Sequence, residues 1–190
     1  MEFEPGRARA FEGCLKVSGQ YRTSGGSHEW FTPPHIIEAT RAVLGAIDLD
    51  PASCAEANEV VRAKKFYTAE DDGLEKPWRG RVWLNPPFRR GLIEPFVYRL
   101  INSRTIGHVS AALLLTNNST DTGWWQHAHD AADGHCFIRR RVRFILPRAS
   151  KRKTTTPMQG QVVHYFGPNP LAFAYEFSAL GLVRAHGRAA

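Results

Sequence analysis

Two apolar runs in this chain stop in the same way, at a polar residue followed by proline. They are Ala46-Ile47-Asp48-Leu49-Asp50 before Pro51, and Arg81-Val82-Trp83-Leu84 before Asn85-Pro86-Pro87. Both read as short strands, and proline, lacking an N–H, cannot extend a ladder past that point. The periodicity around them is helical. Thr32 and Pro33 give a helix start, with a hydroxyl at the N-cap and proline at the first helical position. Ile36, Ile37, Val43 and Leu44 then recur at helical spacing up to Gly45. Further helices are expected over 52–64, 91–104 and 122–132, with a polar loop over 67–76. Val109 to Leu115 is almost wholly apolar, as a central strand covered on both faces must be. Strands over 136–146 and 161–166 have no helix between them, so they should pair antiparallel; a last helix over 171–180 stops at Gly181. This order gives an α/β fold, a mixed sheet with an antiparallel C-terminal hairpin. Ligands of such sheets bind where strands end at their carboxyl edge, at Asp50-Pro51 and Asn85-Pro86-Pro87.

The 190 residues suit one domain: an irregular segment over 1–28, then a single unit over 29–190. No apolar run approaches the ~18 residues of a membrane span, and the N-terminus has no apolar signal core. Three widely spaced cysteines, Cys14, Cys54 and Cys136, argue against a disulfide framework and fit a reducing, cytoplasmic location. The net charge of +7 is local. Between Gly134 and Tyr175 there is no Asp or Glu, while Arg139, Arg140, Arg141, Arg143, Arg148, Lys151, Arg152 and Lys153 all lie there. These cations exceed the whole net charge, the footprint of a protein that meets a polyanion on one face.

The corner Asn85-Pro86-Pro87-Phe88 carries the most specific chemistry. Each proline holds the residue before it extended. The Asn85 amide oxygen and the Pro86 carbonyl are then two fixed acceptors for the protons of an –NH₂ group. The exocyclic amine of adenine is a poor nucleophile because its lone pair is delocalised into the ring. Two acceptors favour its pyramidal form and free that lone pair, and Phe88 offers a face on which the ring system stacks.

Asn-Pro-Pro-Phe at a strand end resembles the catalytic motif of S-adenosylmethionine-dependent amino-methyltransferases. Several blocks together resemble the small phage-type DNA N6-adenine methyltransferases of the Dam group. They are Glu29-Trp30-Phe31-Thr32-Pro33-Pro34, Asp48-Leu49-Asp50-Pro51-Ala52-Ser53, Asp71-Asp72-Gly73-Leu74 and Trp83-Leu84-Asn85-Pro86-Pro87-Phe88. A weaker echo continues through Arg141-Val142-Arg143-Phe144 and residues 160–167. The resemblance implies a Rossmann-like methyltransferase fold, S-adenosylmethionine as cofactor and DNA as partner. It implies catalytic roles for Asn85, Pro86, Pro87 and Phe88. It places Trp30, Thr32 and Pro33 at the methionine end of the cofactor, and Asp50, with Asp48 and Pro51 beside it, at the ammonium. Asp72 and Leu74 would meet the cofactor's adenine, with Asp71 as an alternative to Asp72. The chain departs from the pattern in having no Gly-x-Gly after the first strand and no clear second strand with an acid for the ribose. Glu56, Asn58 and Glu70 are the candidates there.

No separate target-recognition domain fits the remaining length, so loops 117–125 and 146–160 are the candidates for reading sequence. Arg141, Arg143, Arg148, Lys151, Arg152 and Lys153 are expected to neutralise phosphates of DNA, taken as double-stranded. His127, His129 and His135 are not read as a metal site, because the i, i+2 spacing of the first two puts them on different helix faces. RNA adenine, protein glutamine and a silent nucleic-acid-binding module are the competing readings. The cytoplasm would be that of a bacterial host if the chain is phage- or prophage-encoded.

Overall fold

The computed structural model describes residues 30–88, 91–148 and 157–185. The N-terminal segment 1–28, with Glu29, and the cations Lys151, Arg152 and Lys153 lie outside the described residues. Seven strands form one sheet: β1 (Leu49–Asp50), β2 (Lys65–Phe66), β3 (Gly80–Leu84), β4 (Val109–Asn117), β5 (Gly134–Ile138), β6 (Gln161–Phe166) and β7 (Gly181–Ala185). Five helices accompany them: α1 (Pro34–Leu44), α2 (Ala55–Val61), α3 (Ile93–Thr105), α4 (Gly123–Ala131) and α5 (Pro170–Phe177). The strand order is β2-β1-β3-β4-β6-β5-β7. The first four neighbours are parallel, while β6 runs antiparallel to both β4 and β5 and β7 antiparallel to β5. The expected mixed sheet with an antiparallel C-terminal end is present, an arrangement compatible with a methyltransferase fold.

The sheet is covered on both faces. Along β4, Ala111, Leu113 and Leu115 pack with Ile36 and Ile37 of α1, Val61 of α2 and Phe173 and Phe177 of α5. Ala112 and Leu114 point the other way, onto Phe96, Val97 and Leu100 of α3 and Ala128 of α4. That alternation buries both faces of β4, so its sequence has no polar side to show.

The register puts several segment ends at one edge. Asp50, Leu84, Asn117 and Ile138 end strands there, and Gln161 and Gly181 begin strands opposite Asn117 and Ile138. The order in which the parallel strands are connected reverses between β1 and β3, because β2 lies outside β1, and this is the crevice position at which ligands of such sheets bind.

Local details correct the sequence reading. The N-cap of α1 is Pro33, with proline at the first helical positions, and Thr32 sits one residue further out. A second strand, β2, exists where none was expected, and it pairs parallel to β1. β5 stops at Ile138 rather than continuing to Leu146, so Arg141 and Arg143 lie on no ladder strand. Beyond it, residues 139–148 run as a strap along the carboxyl edge, joined to the rest by a bridge between Phe31 and Ile145. β7 follows directly where only a helix stop was expected. Gly181 is required there, because a Cβ would stand 2.2 Å from the Phe137 carbonyl oxygen across the ladder.

Candidate active site

Three segments meet at the crevice. The first is residues 30–33, leading into α1. The second is the turn after β1. Asp50 is 3% exposed, and its Oδ1 accepts a 3.3 Å hydrogen bond from the Ala52 N–H. Among the described residues no cation pairs with it. Burial pushes its pKa up to about 7, opposed by the Ala52 N–H and the nearby Ser53 hydroxyl. Asp48, two residues earlier, has the opposite surroundings. Its carboxylate takes Arg81 through Nε at 2.7 Å and Nη2 at 3.0 Å, the Arg81 N–H at 3.0 Å, and Lys64 at 2.9 Å. The Arg81 side chain, first of these, holds Asp48 well below the usual carboxylate range. Asp48 therefore fastens β1 to β3, and its oxygens are already engaged.

Loop 67–76 folds back onto that turn. Gly73 lies so close to Pro51 that a Cβ would meet the Pro51 carbonyl oxygen at 2.0 Å, so only glycine fits. The Trp78 indole N–H donates to the Gly73 carbonyl at 2.7 Å and pins the loop. Asp72 is held in the left-handed region at φ 52, with Oδ1 accepting from the Leu74 N–H at 3.2 Å. Asp72 and Leu74 thus flank the glycine that lies against Pro51. Asp71 is instead engaged with Thr68 through its backbone N–H and hydroxyl. Among the ribose candidates, Asn58 is committed to Ala63, Glu70 to Thr68, and Glu56 to Arg148.

The third segment is the Asn85 corner after β3. The Asn85 amide N–H donates to the Trp30 carbonyl at 2.8 Å, while its Oδ1 is buried with no partner among the described residues. The Thr32 hydroxyl is likewise buried and unpartnered. Pro86 is buried, and Pro87 and Phe88 are half-buried. Phe88 faces Phe144 edge-on, with centroids 6.3 Å apart, and Trp30 does the same at 5.1 Å.

A family model described as DNA N-6-adenine-methyltransferase (Dam) matches residues 23–175. The chain belongs to this family. It is a DNA N6-adenine methyltransferase, a transferase whose substrate is DNA. No curated protein matches the sequence. The Dam match spans all three segments of the crevice and the strap.

The residues present fit a methionine-derived cofactor. A buried carboxylate without a cation suits an ammonium, and an unpartnered hydroxyl at the entrance to α1 suits a polar head group. The strap was read from sequence as a row of phosphate contacts, and here its members separate. Arg141 and Arg143 are exposed, and Val142 and Phe144, between and after them, are buried. Arg148 instead pairs with Glu59 at 2.8 Å and donates its N–H to Glu56 at 2.8 Å, docking the strap on α2. Gln161 fastens the other end: its Oε1 accepts from the Val142 N–H at 3.3 Å and its Nε2 donates to Asn117 at 3.0 Å. Sequence reasoning assigned no site role to Phe144, Gln161 or the Trp30 carbonyl. The inward alternation of Val142 and Phe144 was the one available signal. Among the described residues no group of three or more His, Cys, Asp and Glu is arranged to hold a metal, and no helix is long and apolar enough to cross a membrane.

Proposed function

We propose that this Dam-family chain transfers a methyl group from S-adenosylmethionine to N6 of an adenine turned out of double-stranded DNA. The receiving pocket is formed by Asn85, Pro86, Pro87 and Phe88. The observation that carries this reading is the Asn85 amide. Its N–H end is tied to the Trp30 carbonyl at 2.8 Å, so its buried oxygen is left as an oriented acceptor with no donor among the described residues. A buried unsatisfied acceptor costs ~1–3 kcal/mol, a cost relieved when an amine enters. Together with the Pro86 carbonyl it draws on both protons of that amine, and Phe88 stacks on the base. A base inside a duplex is out of reach of such a corner, so it must be flipped.

When bound, S-adenosylmethionine supplies an electrophilic methyl group on a sulfonium sulfur. Asp50 holds its ammonium, Thr32 and Pro33 its carboxylate end, and Trp30 and Pro51 wall the site. Asp72 and Leu74 receive its adenine. Asp48 supports this site at one remove, by fixing β1 against β3 through Arg81. Arg141 and Arg143, with Lys151, Arg152 and Lys153, neutralise phosphates; Arg148 reaches DNA only by leaving its two glutamates. Residues 29–190 act as one methyltransferase domain, with sequence reading left to loops 117–125 and 146–160. A cytoplasmic location, where DNA and the cofactor meet, goes with this reading.

The test is direct. Asn85→Ala should keep cofactor affinity and lower turnover by at least ~10²-fold, as loss of a transition-state acceptor does. Duplex DNA, single-stranded DNA, RNA and protein extract are offered with labelled cofactor, and the DNA product is digested to nucleosides. N6-methyladenine from the duplex supports the proposal. Label confined to N4-methylcytosine, RNA or protein overturns it.

A further inference from the structure

Phe144 belongs to the arginine-bearing strap, yet it is only 2% exposed and its ring meets both Trp30 and Phe88. Its ring stands edge-on to Trp30, centroids 5.1 Å apart at 64°, and edge-on to Phe88, 6.3 Å apart at 70°. The backbone repeats the connection one residue along. Phe31 and Ile145 exchange two hydrogen bonds of 2.9 Å each, clamping 30–31 to 144–145. Both ring partners of Phe144 adjoin Asn85, one through a hydrogen bond and the other in sequence. Trp30 supplies the carbonyl that takes the Asn85 N–H, and Phe88 supplies the stacking face.

We propose that Phe144 is a positioning residue for methyl transfer. Its ring braces Trp30 and Phe88 together, fixes which end of the Asn85 amide faces the substrate amine, and ties that corner to the strap bearing Arg141 and Arg143. The inference rests on the reading of Asn85 and Phe88 given above. An amide held by one hydrogen bond is reversed by a half-turn, which puts a donor where the reaction needs an acceptor. Without the Phe144 ring, the Phe31–Ile145 clamp still holds the Trp30 peptide, but the Trp30 and Phe88 rings lose the edge contact that keeps the corner closed, and the Asn85 hydrogen bond to the Trp30 carbonyl weakens. Asn85 then samples both orientations and Phe88 loses its backing. The cofactor residues Asp50 and Asp72 and the exposed arginines are untouched, so binding survives while the chemical step suffers.

The experiment compares Phe144→Leu and Phe144→Met with Phe177→Leu. Phe177 is a fully buried ring in the same core, packed on Phe173 away from the corner. It serves as a control for lost packing. Each variant is read for melting temperature, cofactor affinity, KM for DNA and kcat, and for solvent exchange of the Asn85 side-chain amide by NMR, with the signal assigned by its loss in Asn85→Asp. Both Phe144 variants should lose at least about 10-fold in kcat, with cofactor affinity and KM within twofold, and should speed Asn85 amide exchange. Phe177→Leu should melt earlier with kcat and exchange unchanged. Phe144→Met refills the space without a ring, so it decides the matter if Phe144→Leu fails to fold. Wild-type kcat and exchange in the Met variant, or equal losses in Phe177→Leu, would overturn the assignment. The exchange measurement needs no substrate. A protein that labels no adenine would therefore sink the proposed function while still judging the brace.

Discussion

Asp50 is a carboxyl group folded away from water with no cation beside it among the described residues, and its pKa of about 7 follows from that burial. Two consequences follow with definite sign. In the free protein the raised pKa contributes stability that is present below the unfolded value near ~3.9 and is lost as pH rises through about 7. Calorimetry should find wild type losing stability relative to Asp50→Asn across that window, whatever the other titrating groups add to both proteins. Cofactor binding runs the other way at first. An ammonium pairs with the ionised carboxylate, so affinity should rise as pH climbs from 6 toward 7.5, then fall as an α-amino group near ~8 loses its proton. Asp50→Asn should abolish the rise and weaken binding by ~2–3 kcal/mol at pH 7.5, the scale of a hydrogen bond to a charged group. A wild-type affinity in that variant would mean the ammonium sits elsewhere. Asp48 and Asp50 also mark the limit of what the sequence makes legible. They stand two apart on the same run, and both read as cofactor acids. What separates them is Arg81, 33 positions away, which occupies one and leaves the other alone.

At the scale of elements, the parts that could be read were those with a local pattern. The apolar run of β4, the helical spacing of α1 and α3, and the proline stops after Asp50 and Asn85 each carry their signal within a few residues. β2 is two residues long and shows no period at all. β7 begins at a glycine that looks like a helix end, and its reason is a neighbour on β5. The strap resembled the continuation of a strand because Val142 and Phe144 alternate with arginines. Arg140, at φ 118, turns the chain off the ladder, a strain invisible in composition. The join between β4, β5, β6 and α4 holds a further long-range feature. His164 of β6 is fully buried, its Nε2 3.1 Å from the Thr116 hydroxyl on β4 and its Nδ1 3.2 Å from the His135 Nδ1 on β5. From α4, His129 stacks on His135 and Trp125 stands edge-on to His164. Burial, first, and then His135 and His129 hold His164 well below its ordinary pKa, so it stays neutral in the fold. The unfolded chain takes up that proton near pH ~6.5, so stability should fall as pH drops below that value. His164→Gln should reduce this acid sensitivity, read as a shallower fall in melting temperature between pH 6.5 and 5. An unchanged pH profile would show that the cluster takes up protons without cost to the fold.

At the scale of the whole molecule, the charge of the strap and the proposed site share one edge of the sheet. The strap leaves β5, passes Gln161 and Phe31 and docks on α2, so it crosses the same carboxyl edge that holds Asp50 and Asn85. Its arginines divide into two electrostatic kinds. Arg141 and Arg143 are exposed, with no acid paired to them among the described residues. Arg148 already has Glu56 and Glu59 as partners, with its side chain 76% exposed. DNA that neutralises a free arginine releases condensed counterions and steepens the salt dependence of binding by ~0.9 per contact. DNA that takes Arg148 must first strip it from two carboxylates and then leave those facing phosphate, so little is gained. Titrating duplex DNA at three salt concentrations should therefore show the slope of log K against log salt reduced by roughly 1.8 in Arg141→Ala/Arg143→Ala. Arg148→Ala should change it by much less than one contact. Cofactor affinity should be the same in all three proteins, because the three side chains are exposed on the strap and none is bonded to Asp50 or Asp72 among the described residues. A slope for Arg148→Ala that drops by a full contact would mean the strap swings off α2 when DNA binds, with Arg148 transferred from its glutamates to a phosphate. An unaltered slope in the double variant would place the DNA on a different face of the sheet.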